Sequence, residues 1–302
     1  MHFIRVFYWK FYKIRKMVKQ IILFTVLISG VFSGYVNVMN DTFQDMSNWI
    51  ENVMAGADSG NNDWEYYTDT PTNVFITKIN GQNALVLRAV AQNYKGYNYT
   101  SGKVNSVRPW GPYGFFNVKA VVPKGSALWP AIFMMPPNAQ SVYGGWAACG
   151  EIDIMETICS NSSGYSTLHF GGVWPNNVQY PVFPSNAYPF EVTWNQPHWY
   201  GVEWQQTYMN IWLDAQMING SIQGGKLINH INSSQWYSLN SNGQKYPGNA
   251  PYNQPFNIIF DLAVGGNWPC SFPGCCDYAA VPAQMEIYNV QIWALTNVEE
   301  QL

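Results

Sequence analysis

Glu151-Ile152-Asp153-Ile154-Met155-Glu156 is the stretch on which the reading of the chain turns. No Asp or Glu occurs between Thr70 and Gly150, and then three carboxylates fall within six residues. The Ile and Met between them read as strand. Carboxylates this crowded repel and desolvate one another, which splits their pKa values as acid/base work on two carboxyls requires. A solvated strand face or a calcium site is the alternative reading of the hexapeptide alone. Alternation along a strand puts Glu151 and Asp153 on one face and turns Glu156 to the other. One bulged residue, at Met155 or its neighbour, restores the phase and lets all three acids line one cleft. Carboxyls drawn to about 5–5.5 Å favour retention, whereas inversion needs about 6.5–9.5 Å.

Outward from this stretch, short apolar alternations recur with turn residues between them. Val74–Thr77 and Ala84–Ala89 flank Asn80-Gly81, a hairpin signal. Further strand-like runs are Phe115–Val122, Ala131–Met135, Thr167–Phe170, Trp199–Gln205, Tyr208–Leu213, Phe256–Val264 and Met285–Ala294. This spacing predicts an all-β sandwich. Asp41–Met54 is the one helical candidate, as a turn or two of helix or an edge loop. With no internal repeat or low-complexity linker, residues 35–302 are read as one domain, with a Gly/Asn/Pro-rich loop at Ser238–Gln254.

Charged residues make up 11% of the 302 and aromatics 17%, a balance suited to a neutral, ring-shaped ligand. Six of the 15 Lys and Arg precede Ile21, and none of the 18 acids precedes Asp41. Without that N-terminus nine bases face 18 acids, a net of −9 that disfavours polyanions such as nucleic acid. The basic start, the apolar run from Ile21 to Phe32 and the small residues Ser33 and Gly34 form a signal-peptide pattern over residues 1–34, with Met17 a possible true start. An uncleaved signal anchor is the alternative; the run is short for a spanning helix. A secreted, extracellular protein with no membrane association after cleavage is therefore expected. Five sequons, at Asn40, Asn98, Asn161, Asn219 and Asn232, agree with that route.

Of the five cysteines, secretion favours a disulfide closing the loop Cys270–Cys276. Cys149 and Cys159 bracket the acidic strand, too far apart to bridge if it is extended. The odd count leaves at least one thiol unpaired within a monomer. The absence of a CxxC pair and the few histidines argue against zinc.

Several motifs coincide in order. Val122-Pro123-Lys124-Gly125 precedes Leu128-Trp129-Pro130-Ala131-Ile132-Phe133-Met134-Met135-Pro136, followed by Tyr143-Gly144-Gly145-Trp146. The acidic hexapeptide comes next, then Thr167-Leu168-His169-Phe170-Gly171-Gly172 and Phe260-Asp261-Leu262-Ala263-Val264-Gly265-Gly266-Asn267-Trp268-Pro269. In this order they resemble glycoside hydrolase family 16, the laminarinase-like endo-β-1,3-glucanases. The resemblance implies a concanavalin A-like β-jelly-roll sandwich with a concave substrate groove, and a β-glucan polysaccharide as partner. It also implies Glu151 as nucleophile, Glu156 as acid/base and Asp153 as the residue that holds Glu151 and tunes its protonation.

By the same resemblance Trp129 and Trp146 stack on sugar rings, with core packing as the alternative for each. His169 faces the leaving-group side, or is a structural histidine. Trp174 and Trp268 are weaker substrate-binding candidates that shape the groove rim. Tyr288 stands where many relatives carry an Asp that helps bind a structural calcium, so no cofactor or metal is expected. Cys149, two residues before the nucleophile, is expected on its strand face, where it would narrow the site. A monomeric, retaining endo-β-glucan hydrolase is the leading expectation, on β-1,3- or mixed β-1,3/1,4-glucan. A non-catalytic β-glucan-binding recognition protein and a cell-wall transglycosylase are the alternatives.

Overall fold

Turn chemistry and period-two alternation build two largely antiparallel sheets packed face to face in the computed structural model. It describes residues 34–137, 142–159, 163–181, 190–191 and 193–296. The leader expected at residues 1–34 and the sequon at Asn161 lie outside these residues, save for Gly34. Val36–Ala294 forms one compact unit. Among the described residues no helix is long and apolar enough to cross a membrane.

One sheet runs in the order Asn177–Tyr180, Ser163–Gly171, Glu151–Thr157, Leu128–Met135, Asn257–Val264, Lys103–Ser106, Trp49–Glu51. The other contains Lys226–Asn232, Tyr208–Leu213, His198–Trp204, Gly114–Val121, Ala283–Thr296 and Gln82–Tyr94 as successive neighbours, with Val74–Ile79 also paired to Gln82–Tyr94. The Val74–Ile79 and Gln82–Tyr94 strands join through Asn80 (φ 51°) and Gly81 (φ 81°). Two positive φ values in a two-residue loop match the right-handed twist of the flanking strands, which is why Asn-Gly serves there. These two layers are the expected β-jelly-roll sandwich.

Alternate residues of both sheets meet in one core. Leu85, Leu87, Phe116, Val118, Val202 and Trp204 come from one layer, and Ile132, Met134, Ile152, Leu168, Phe260 and Leu262 from the other. Fully burying one such side chain contributes roughly 1.5–3 kcal/mol.

Asp41–Met54 is not helical. Asp41 ends a strand, its Oδ1 accepts the Phe43 N–H at 2.7 Å and its Oδ2 accepts the Trp49 indole N–H at 2.9 Å. Local side-chain bonds of this kind compete with helical ones. The segment is an edge loop containing the short strand Trp49–Glu51.

Cys270 and Cys276 are bonded, as expected from their loop, and a second disulfide joins Cys159 to Cys275. Cys149 is the free, buried thiol.

Candidate active site

The acidic strand Glu151–Thr157 sits between Leu128–Met135 and Ser163–Gly171. Asp153 pairs with Thr167 and Glu156 with Tyr165, so three steps on the acidic strand oppose two on its neighbour. On the other side Met155 pairs with Ile132 and Asp153 with Phe133. The extra residue lies at Ile154–Met155, and both of these consecutive side chains enter the core. The bulge thus spends one residue inward and returns Glu156 to the face of Glu151 and Asp153.

All three acids line one cavity of about 360 Å³, with Trp129, Trp146, His169 and Trp268 around them. A second cavity of about 820 Å³ shares Trp129, Trp146 and the three acids, and extends over Ala131, Phe133 and Asp261 to Trp174. Together they form a groove across the sheet. Of the eight residues expected at the site, seven line the first cavity. Trp174, 68% exposed, lines only the second.

Each outer glutamate is held by an indole. Trp146 Nε1 donates to Glu151 Oε2 at 2.5 Å, and Trp129 Nε1 donates to Glu156 Oε1 at 3.0 Å. Neither tryptophan belongs to the core between the sheets. Trp129 meets Trp268 edge-on at 5.2 Å, and Trp268 meets Tyr165 at 5.4 Å, which makes an aromatic wall beside Glu156. That wall packs on Ile158 and the Cys159–Cys275 disulfide. His169 pairs with Glu151 across the strands and sets its Nε2 3.2 Å from Asp153 Oδ2. The Tyr252 hydroxyl lies 3.0 Å from the Glu151 carbonyl and 2.9 Å from that of His169, tying this pair from below.

Burial pushes the Asp153 carboxyl well above the usual carboxylate range, with Glu151 and Asp261 adding repulsion. Glu156 is also pushed well above it, by burial first and then by Asp153; His169 and the Trp129 hydrogen bond oppose the shift. A carboxyl kept protonated beside another that accepts a short hydrogen bond is the division of labour that acid and nucleophile need.

Cys149 does not narrow this groove. Gly150 has φ 85°, and a Cβ there would sit 2.8 Å from the Pro251 ring, so the chain turns before the strand begins. Cys149 is thereby 1% exposed and absent from both cavities, and burial pushes its thiol up to about 12.

Residues not anticipated here are Asn61, Tyr165, Gln179, Asp63 and the Lys103–Asp261 ion pair at 3.0 Å. Asp261, a lone charge within the apolar run Phe260–Val264, was a readable signal. Asn61 and Gln179 carried none. Glu151, Asp153 and His169 each offer a donor atom within 4.8 Å of the others, a set able to hold a cation. Two of those groups already face each other, and the third accepts the Trp146 N–H.

Comparison with known proteins matches residues 58–268 to the model of glycosyl hydrolases family 16. The chain is 31% identical over 284 residues to the glucan endo-1,3-beta-glucosidase A1 of Niallia circulans, covering 88% of this chain and 38% of that protein. It is 33% identical over 225 residues to the glucan endo-1,3-beta-glucosidase of Cryptopygus antarcticus, covering 69% and 72% respectively. The solved laminarinase of Rhodothermus marinus superposes with a TM-score of 0.67 at 24% identity, over 88% of this chain and all of that one. That likeness shows the fold.

Proposed function

The chain belongs to glycosyl hydrolases family 16, and from that premise we propose that it cuts β-glucan chains internally, on β-1,3- or mixed β-1,3/1,4-linkages. The observation that carries this reading is the bulged strand, which sets Glu151, Asp153 and Glu156 side by side in an open groove. The named activities of the two bacterial and animal relatives support the substrate class.

In this reading the reaction is a retaining double displacement. Glu151 attacks the anomeric carbon while Glu156 gives its proton to the leaving oxygen. Water then enters, Glu156 takes its proton, and the glycosyl–Glu151 bond breaks with retained configuration. The raised proton affinity of Glu156 suits the first role. The Trp146 N–H on Glu151 Oε2 leaves Oε1 to form the bond, and Asp153, backed by His169, positions Glu151. Trp129, Trp146 and Trp268 border the sugars and Trp174 the far end of the groove. No cofactor enters the chemistry proposed.

Secretion belongs to the same proposal. Two disulfides suit an oxidising compartment, and the four sequon asparagines among the described residues are all exposed.

Glu151→Gln tests the reading: it removes the nucleophile while keeping the hydrogen-bonding shape. Reducing-sugar release from laminarin is expected to fall by at least about 10³-fold, with an unchanged circular dichroism spectrum. Retention of more than a few per cent of the activity contradicts the assignment. Wild-type activity confined to agarose or xyloglucan contradicts the substrate class.

A further inference from the structure

We propose that the sheet opposite the groove carries a second binding site, for a neutral β-glucan strand, which holds polymeric substrate without cleaving it. The proposal builds on the function above by naming a second contact with the same substrate.

A trough of about 440 Å³ crosses the outer face of that sheet. Register places three of its side chains in a row on that face: Trp199 pairs with Lys119, and Lys119 with Asn289. Two inter-strand steps of about 4.8 Å give the row a length of roughly 10 Å. Lys78 and Asn83, themselves a cross-strand pair, extend the lining from the end of their hairpin, and Thr42 and Gln44 extend it from the edge loop.

A second bulge shapes the trough. Ile287 pairs with Ala120 and Asn289 with Lys119, so Tyr288 is the extra residue and joins its neighbour Asn289 in lining it. Elsewhere on this face the sheet is covered: Asn117, two residues from Lys119, is fully buried and donates to the Ala215 carbonyl at 2.9 Å. The trough is left open beside that cover.

Its chemistry suits hydroxyl-rich rings. Trp199 and Tyr288 offer half-buried aromatic surface, and Asn83 offers an amide that both donates and accepts, beside Asn289, whose Nδ2 donates to Asn40 Oδ1 at 3.0 Å. No carboxylate lines it, and neither Lys78 nor Lys119 is ion-paired among the described residues, so both ammonium groups remain free to donate to hydroxyls. Two lysines do not make it a polyanion site, because the chain beyond its N-terminal segment carries nine bases against 18 acids.

Partition onto particulate curdlan, measured with short laminari-oligosaccharides saturating the catalytic groove, tests this. Trp199→Ala is expected to lower the bound fraction's association constant about fivefold or more, and the double variant Lys119→Ala/Asn83→Ala to lower it similarly. Hydrolysis of laminarihexaose is expected to stay within about twofold of wild type in both. Wild type that fails to bind curdlan under these conditions overturns the site, as does binding unchanged in the double variant. Tighter binding to carboxymethylated glucan than to curdlan overturns the neutral ligand. Curdlan binding lost in the variants, in a wild type that cleaves no laminarihexaose, supports the trough and contradicts the proposed function instead.

Discussion

At the scale of single residues, the site is a problem of placing one proton. Glu156 is half-buried against Trp129, Trp268 and Tyr165, with the Asp153 carboxyl beside it, and burial first, then Asp153, holds its proton on. Glu151, at the other end, accepts the Trp146 N–H. In the proposed mechanism, removing the acid while keeping the nucleophile isolates the second half of the reaction. Glu156→Ala is expected to hydrolyse aryl β-glucosides with good leaving groups slowly and to be accelerated by azide. The product, read by NMR, is expected to be the β-glycosyl azide, since azide attacks the α-linked glycosyl–Glu151 intermediate. An α product indicates inversion. The indole–carboxylate bonds were not legible in the sequence: periodicity assigns a face, but not where a ring N–H points. Both tryptophans were readable as groove residues, and their partners were not.

At the scale of elements, the acidic strand was legible because its pattern contradicts itself. Three acids at positions one, three and six cannot share a face on a regular strand, so either one faces away or the strand bulges, and it bulges at Ile154–Met155. The Asn80-Gly81 hairpin and the strand Tyr208–Leu213 were equally plain, because turn chemistry and alternation are local. What escaped was long-range or hung on one dihedral. Lys103 meets Asp261 across 158 positions, and Cys159 meets Cys275 across 116. The positive φ of Gly150 removes Cys149 from the strand that alternation had assigned to it. The Cys159–Cys275 bond supports the aromatic wall and closes a long loop. In the chain-entropy account such a loop contributes on the order of 4–5 kcal/mol. Cys159→Ala/Cys275→Ala is therefore expected to lower the unfolding free energy by about 2–5 kcal/mol in denaturant melts. A change under about 0.5 kcal/mol contradicts that support.

At the scale of the whole molecule, a buried acidic pair makes stability depend on pH. Burial pushes Glu65 up to about 8, with Asp63 adding repulsion, and burial pushes Asp63 up to about 6. Glu65 Oε2 accepts the Val264 N–H at 2.7 Å, so the pair lies against the strand that carries Asp261. Both groups bind protons more tightly folded than unfolded. Their stabilising contribution is complete below the unfolded pKa values near 4, and is lost as pH rises through about 6 and then 8. The slope reaches about 1.4 kcal/mol per pH unit for each proton concerned. Melting temperature is expected to fall from about pH 5 to 9, and Glu65→Gln to flatten the upper part of that fall. A wild-type melting temperature that rises over the same range contradicts the sign.

The proposed mechanism makes Glu151 the residue that bonds to the sugar in the intermediate. Incubation with a 2-deoxy-2-fluoro-β-laminaribiosyl fluoride, followed by proteolysis and mass spectrometry, reads that bond directly. The predicted result is a single fluoroglycosyl adduct on the peptide containing Glu151, fragmenting to that residue. An adduct on Glu156 or Asp153 would contradict the account, as would the absence of any adduct on enzyme that cleaves laminarin.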